Sequence, residues 1–341
     1  MKTLPVEDAV GKVLGHDITR IVPGAFKGRA FKKGRVIQPA DVPILLDLGK
    51  ANILVLELEP GMVHEDEAAV RIATAACGDG LRLTDPVEGK VNFISTRNGL
   101  LTVDTQALNR INAVEEIMFA TLHTHFHVRP DQPVAGTRII PLYTDDRRIE
   151  TIEKICREAS PLIEVKPFSP VKVGIVTTGS EIYHGRIEDK FGPVLRMKFE
   201  DLGSRVVDQV LVSDDIPMTV DAIHRLIADG ASFVAVTGGM SVDPDDQTPA
   251  SIRAAGGKVT TYGAPVLPGA MFMLAHIGDV PVLGLPGCVM YYQASIFDLV
   301  VPRLLAGETI TREDIVSMGH GGFCAGCPEC RYPNCPFGKT N

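Results

Sequence analysis

Residues Ser232–Thr248 read SFVAVTGGMSVDPDDQT. An apolar run, Ser232–Val236, stops at Gly238-Gly239, and Pro249–Ala255 then carries a short helical pattern. A strand covered on both faces reads as an unbroken β-branched run, and a return through a helix sets its neighbour parallel. The alternation extends both ways. Upstream, Val171–Thr177 (VKVGIVT) and Arg205–Val212 (RVVDQVLV) predict strands, with helices over Pro193–Leu202, ended by Gly203, and Met218–Ala228, ended by Gly230. Downstream, a strand region opens at Lys258, another covers Val280–Leu285, and one long apolar helix is expected over Val289–Leu305. The pattern predicts a layered α/β domain with a mostly parallel sheet.

Three prolines between Pro161 and Pro170 mark a boundary before this domain. The expected division is an α+β region over residues 1–165, the α/β domain over 166–310 and a short Cys-rich tail over 311–341. In the first region a helix is expected over Asp41–Leu48, and a strand over Asn52–Leu58 closed by Pro60-Gly61. A helix opens at His64-Glu65-Asp66-Glu67, with its acids at the positive end of the macrodipole, and runs to Cys77. Val91–Val103 reads as a hairpin around Asn98-Gly99. Helices follow over Thr105–Leu122 and Asp146–Glu158, the latter with Ile149, Ile152, Ile155 and Cys156 on one face.

Composition excludes several roles. With 34 Lys+Arg against 42 Asp+Glu the net charge is −8, which lacks the cationic excess that neutralises a nucleic-acid backbone. No Trp and 6% aromatics argue against a base-stacking platform. No apolar run is long enough to span a bilayer, and the amino end, Met1-Lys2-Thr3-Leu4-Pro5, does not read as a secretion signal. The expected location is the cytoplasm.

Ligands of open parallel sheets bind beyond the carboxyl ends of the strands. The loops there are Thr177-Thr178-Gly179-Ser180-Glu181, Ser213-Asp214-Asp215, Thr237–Thr248, Leu267-Pro268-Gly269-Ala270 and Gly284-Leu285-Pro286-Gly287-Cys288. Singly, each is an ordinary turn or cap. Together they make a shared small-molecule site, with backbone amides for an anion and carboxylates for a divalent cation or ring N–H groups. Asp246, between the glycine turn and a helix, is the candidate metal ligand.

TGGMSVDPDDQT, with TTGSE before it and GLPG after it, resembles the molybdopterin-binding domain shared by molybdopterin adenylyltransferases and molybdenumtransferases. The resemblance covers Val171–Leu305, and Gly34–Leu58 is similar to the segment that leads into this domain in the molybdenumtransferases. It implies a pterin dithiolene phosphate, or its adenylylated form, as substrate. On that resemblance Asp246 handles magnesium or molybdate, with Asp243 and Asp245 beside it as catalytic candidates. Gly238, Gly239 and Ser241 line the pterin or phosphate, Asp214 or Asp215 meets the pterin edge, and Glu181 matches the acid of the first motif. Thr178, Gly179, Ser180, Pro268, Gly269, Pro286 and Gly287 complete the implied binding set.

The chain departs from the family where Asp243 replaces a glycine, Leu267 and Ala270 replace basic residues, and Cys288 replaces an asparagine. The Asn expected near Asp189–Gly192 and an Asp-Gly-Tyr-Ala motif are both missing. The implied activity is insertion of molybdate into adenylylated molybdopterin with release of AMP, in an expected homo-oligomer. The rivals are a non-catalytic pterin carrier or redox sensor, and an adenylyltransferase.

Four of the seven cysteines, Cys324, Cys327, Cys330 and Cys335, fall in the last 18 residues. Their spacing approaches a ferredoxin run and equally suits tetrahedral zinc. Gly319, Gly321 and Gly322 before them read as a flexible tether to a module that could dock a molybdoenzyme or redox partner. Cys77 and Cys156 read as small core residues. His123, His125 and His127 alternate, so an extended chain would project all three to one face. With no carboxylate or cysteine to complete a ligand set, they read as a polar face.

Overall fold

The computed structural model describes every residue except 1, 23–25, 57–59, 160 and 340–341. The chain forms two compact units. One comprises residues 1–96, 103–122 and 131–164, and the other residues 97–102, 123–130 and 165–341.

The second unit carries a six-stranded sheet. Its strands are β1 (Lys172–Thr178), β2 (Arg205–Val212), β3 (Phe233–Thr237), β4 (Lys258–Tyr262), β5 (Met273–Ile277) and β6 (Val280–Leu285). The spatial order is β2-β1-β3-β6-β5-β4. Pairing is parallel from β2 through β1 and β3 to β6, and antiparallel from β6 through β5 to β4. Alternate residues of one strand enter opposite cores, as the period of two requires. Val173 and Ile175 of β1 join Phe233 and Ala235 of β3 in one cluster, while Val176, Val234 and Val236 join the other.

The helices are α1 (Phe191–Asp201), α2 (Ile216–Ala228), α3 (Thr248–Ala254), α4 (Cys288–Tyr291), α5 (Ile296–Leu305) and α6 (Arg312–Ser317). Phe199 of α1 stacks edge-on against Phe233 at 5.4 Å and Phe297 of α5 at 5.1 Å, all three fully buried. Each such ring is worth about 1.5–3 kcal/mol of burial.

The expected long helix over Val289–Leu305 is two helices. Tyr292–Ser295 interrupt it, and Ser295 starts α5 as an N-cap in a capping box with Asp298. The Ile296 N–H meets the Pro268 carbonyl at 3.2 Å, so a neighbouring strand-end loop is fastened at the break.

In the first unit the Thr105–Leu122 expectation also fails. The helix covers Thr105–Asn112, and Ile117–Thr121 is a strand antiparallel to Pro133–Ile139. The Asn112 amide brackets Phe119, donating to its carbonyl at 2.9 Å and accepting its N–H at 2.8 Å. Lys90–Ser95 lies in a four-stranded sheet, whereas Gly99–Val103 pairs in a separate three-stranded sheet with Phe126–Val128 and Ile163–Pro167, so the expected hairpin does not form. Asn52–Val55 is the observed part of the Asn52–Leu58 strand; residues 57–58 lie outside the described residues. The helices Asp41–Asp47, Glu65–Ala76 and Asp146–Ala159 match their expected positions closely. Among the described residues no helix is long and apolar enough to cross a membrane.

The tail returns to the α/β unit instead of leaving it. Leu267 donates to the Gly322 carbonyl and accepts from the Cys324 N–H, both at 2.8 Å. Gly338 donates to Gly321 at 2.9 Å, Phe337 is buried, and Tyr332 donates to the Asp298 carbonyl at 3.1 Å. A Cβ on Gly322 would lie 2.5 Å from the carbonyl oxygens of Met318 and Pro265. The glycine run therefore serves close backbone approach, and the expected tether is absent from this segment.

Candidate functional site

Strand ends β3 and β6, with the loop before β5, surround a cavity of 690 Å³. Its walls are Gly238–Ser241 and Asp246 after β3, Leu267–Met271, Pro286–Cys288 after β6, Tyr292, and Phe323, Cys324 and Gly326 of the tail. The size lies within the ordinary range of small-molecule sites. The structure thus brings Gly238, Gly239, Ser241, Asp246, Pro268, Gly269, Pro286 and Gly287 together, from three separate loops.

Backbone geometry shapes this end of β3. Gly238 has φ +85°, and a Cβ there would fall 2.3 Å from the Thr178 carbonyl oxygen. The close approach joins β3 to β1. Thr248, at the head of α3, ties the turn from beneath: its hydroxyl donates to the Gly238 carbonyl at 2.8 Å and its N–H to Gly239 at 3.1 Å. The Asp246 carboxylate accepts from the Asp243 N–H at 3.1 Å, and its own N–H donates to the Asp243 carbonyl at 2.9 Å. That reciprocal pair fixes Asp246 at the cavity edge, whereas Asp243 and Asp245 are exposed and do not line the cavity.

The remaining expected residues fall outside the cavity lining. Asp214 accepts the Ser180 N–H at 2.8 Å, and the Ser180 and Ser213 hydroxyls meet at 2.8 Å. Asp215 caps α2 through the Met218 N–H at 2.8 Å. Both carboxylates are therefore engaged in holding loops and helix termini. Gly179 precedes a single helical turn, Ser180–Tyr183, and Glu181 folds back toward it. Thr178 is buried beside Thr248, with the two hydroxyls 3.4 Å apart.

The electrostatics of the cavity are acidic and apolar. Among its described lining residues there is no Lys or Arg, and the ionisable side chains are Asp246, Cys288, Tyr292 and Cys324. Burial pushes the Cys288 thiol up, which keeps it neutral. Leu267, Phe323 and Tyr292 are about half to three-quarters exposed and give the mouth an apolar rim.

Tyr292, Met240 and Met271 also line the site and the tail closes one side, positions that the motifs in the sequence do not single out. The available signal for the tail was Phe323 and Phe337, apolar residues that bracket the cysteine run. Cys156 is buried on its helix as expected, and Cys77 is half-buried at the end of another.

The three histidines do not share a face. His125 has φ +61°, which breaks the alternation, and only Phe126–Val128 is a strand. His127 Nε2 meets the Asn98 side-chain oxygen at 2.6 Å, His123 Nδ1 meets the Thr124 carbonyl at 2.9 Å, and His125 lies 3.5 Å from Glu308. Among the described residues the group of potential ligand atoms that gathers within 4.8 Å is His64, Glu65 and Asp66, in the first unit. The Lys33 ammonium sits among them, 2.5 Å from His64 Nδ1 and 2.9 Å from Asp66, and supplies the positive charge itself.

Residues 174–306 match a family model described as a probable molybdopterin binding domain. Residues 3–57 match a domain of unknown function (DUF8806). A CinA-like protein of Mycobacterium leprae (strain TN) is 33% identical over 78 residues, which is 23% of this chain and 18% of that protein. The chain thus spans about a fifth of the length of the curated relatives it matches. Among solved structures, the molybdopterin biosynthesis enzyme MoaB of Thermus thermophilus is 22% identical, with a TM-score of 0.34, over 40% of this chain and 98% of that one. The tungsten cofactor synthesizing protein MoaB of Pyrococcus furiosus is 21% identical, with a TM-score of 0.33, over 40% and 96%.

Proposed function

We propose that this chain acts in molybdenum-cofactor biosynthesis, holding adenylylated molybdopterin in the strand-end cavity while molybdate is inserted and AMP leaves. The supporting observation is convergence: TGGMS, LPGA and GLPGC, far apart in sequence, line one cavity with one carboxylate at its edge. The apolar rim of Leu267, Tyr292 and Phe323 suits a flat heterocycle, and the glycine-rich turns offer N–H groups to phosphate.

Magnesium fits the donor set at Asp246, a hard oxygen ligand positioned by the Asp243 backbone, because this ion is commonly held by one or two carboxylates plus substrate phosphates. When bound, it would neutralise phosphate charge that no basic side chain lining the cavity offsets. Asp243 and Asp245 would add to the local negative potential. Asp214, Asp215 and Glu181 would hold the loop scaffold behind the cavity.

The lack of a lining cation also favours a second reading, a carrier that holds the pterin without turning it over. Anaerobic assay with adenylylated molybdopterin, magnesium and molybdate separates the two. The transferase reading expects AMP release by the wild type and a loss of about 100-fold in Asp246→Ala, with pterin still bound. Unchanged turnover in the variant removes Asp246 from the chemistry. Stoichiometric pterin with no AMP release by the wild type establishes the carrier.

A further inference from the structure

We propose that the tail is a tetrathiolate metal site, built by Cys324, Cys327, Cys330 and Cys335, whose filled state forms one wall of the strand-end cavity. Three features of the fold carry this. First, the segment is a closed loop: the Gly338 N–H to Gly321 carbonyl bond of 2.9 Å joins its ends, and all four cysteines lie between them. Second, the base of the loop is pinned while its arm is bare. Cys324, Cys335 and Tyr332 pack against the main core, whereas Ala325–Arg331 is exposed, has no regular secondary structure and carries Cys327 and Cys330. Such an arm buries too little apolar surface to offset its own ordering, and a metal is the usual staple for a loop of this kind. Third, the Lys339 ammonium lies within the loop, donating to the Pro333 carbonyl at 2.6 Å and the Cys335 carbonyl at 2.9 Å. Four thiolates around a divalent ion leave net negative charge, and Lys339 places a cation beside it.

As the loop stands, no three of its sulfurs lie within 4.8 Å of one another. Ligation therefore draws the arm of Cys327 and Cys330 inwards onto the anchored pair. Movement at Cys324 is transmitted directly, because Phe323, Cys324 and Gly326 line the cavity and Cys324 is bonded to Leu267 on its other side. The class of ligand is a thiophilic centre, either a single zinc ion or an iron–sulfur cluster. The metal claim stands independently of the pterin reading, since it concerns the tail alone.

The test reconstitutes the full chain anaerobically in two arms, with zinc and with ferrous iron plus sulfide, followed by desalting and metal analysis. The wild type is expected to retain one centre per chain in one arm. Cys327→Ser with Cys330→Ser, two exposed positions whose replacement leaves the core untouched, is expected to lose it. Hydrogen exchange at the Leu267 and Cys324 amides is expected to slow on loading the wild type and not the variant. No retained metal in either arm, or equal retention by the variant, overturns the site. Retained metal without slower exchange at those amides overturns its role as a cavity wall.

Discussion

Gly238→Ala tests the idea that the cavity depends on a backbone contact only glycine allows. The added Cβ would sit 2.3 Å from the Thr178 carbonyl oxygen and 2.7 Å from its hydroxyl, at φ +85°. The left-handed conformation costs a non-glycine residue about 1–2 kcal/mol. Relieving the collision by parting β1 from β3 adds about 1–3 kcal/mol, as for other overpacked sites. Gly256→Ala isolates the second contribution, because Gly256 has nearly the same φ, +89°, with nothing within 4 Å of its added Cβ. For a unit of this size each kcal/mol moves the melting temperature by about 2–4 °C. Gly238→Ala should therefore melt lower than Gly256→Ala by about 2–12 °C in a thermal scan. It should also lose pterin binding, which Gly256→Ala should keep. Equal melting temperatures for the two variants would refute the collision argument.

Lys198→Met should destabilise the α/β unit by up to about 3–5 kcal/mol, since it strips the mostly buried Asp298 carboxylate of the ammonium that bridges it at 2.7 and 2.9 Å and leaves it Ser295 as partner; urea denaturation reads this, and adding Asp298→Asn should restore part of the loss. Burial, reinforced by Arg303, holds the His125 imidazole down at about 4, so its neutral form is native. Stability should then fall as pH drops from about 6.5 toward 4, because the unfolded chain takes up the proton first. His125→Asn, a residue that tolerates the positive φ, should flatten that limb of the urea midpoint against pH, with the remaining slope coming from His127 and the other buried histidines. Asp246→Asn should lower magnesium-dependent AMP release while leaving pterin bound and the melting temperature within about 2 °C, because its carboxylate is tied to an exposed loop.

The α/β half was legible because its strands are covered on both faces. Val173–Val176 and Phe233–Val236 have no polar side to obscure the pattern, and the glycine and proline loops between strands and helices are distinctive. Two kinds of feature were hidden. Ile117–Thr121 follows a helix with no proline or glycine between them, so the switch from one period to the other depends on the Asn112–Phe119 bracket and on pairing with Pro133–Ile139. Likewise, the break before Ser295 is a tertiary effect, fixed where Pro268 reaches the Ile296 amide.

The site was legible as motifs and illegible as a surface. Gly238, Pro268 and Gly287 could be read as strand-end loops of one sheet, but carboxylates look alike in sequence whether they face a cavity, as Asp246 does, or cap a helix, as Asp215 does. The tail gave its cysteines away at once and concealed its position. Its docking rests in part on backbone bonds at Leu267, Gly322 and Cys324, which leave no side-chain signature, and Phe337 is the apolar residue that could have betrayed the rest.

Everything proposed for the cavity between the ends of β3 and β6 depends on its binding molybdopterin. The most direct measurement is anaerobic purification of the full chain after incubation with molybdopterin, then acid oxidation and quantitation of the released fluorescent pterin. Close to one pterin per wild-type chain is expected, and little from Gly238→Ala. Absence of pterin from the wild type, or equal amounts from both, would contradict it.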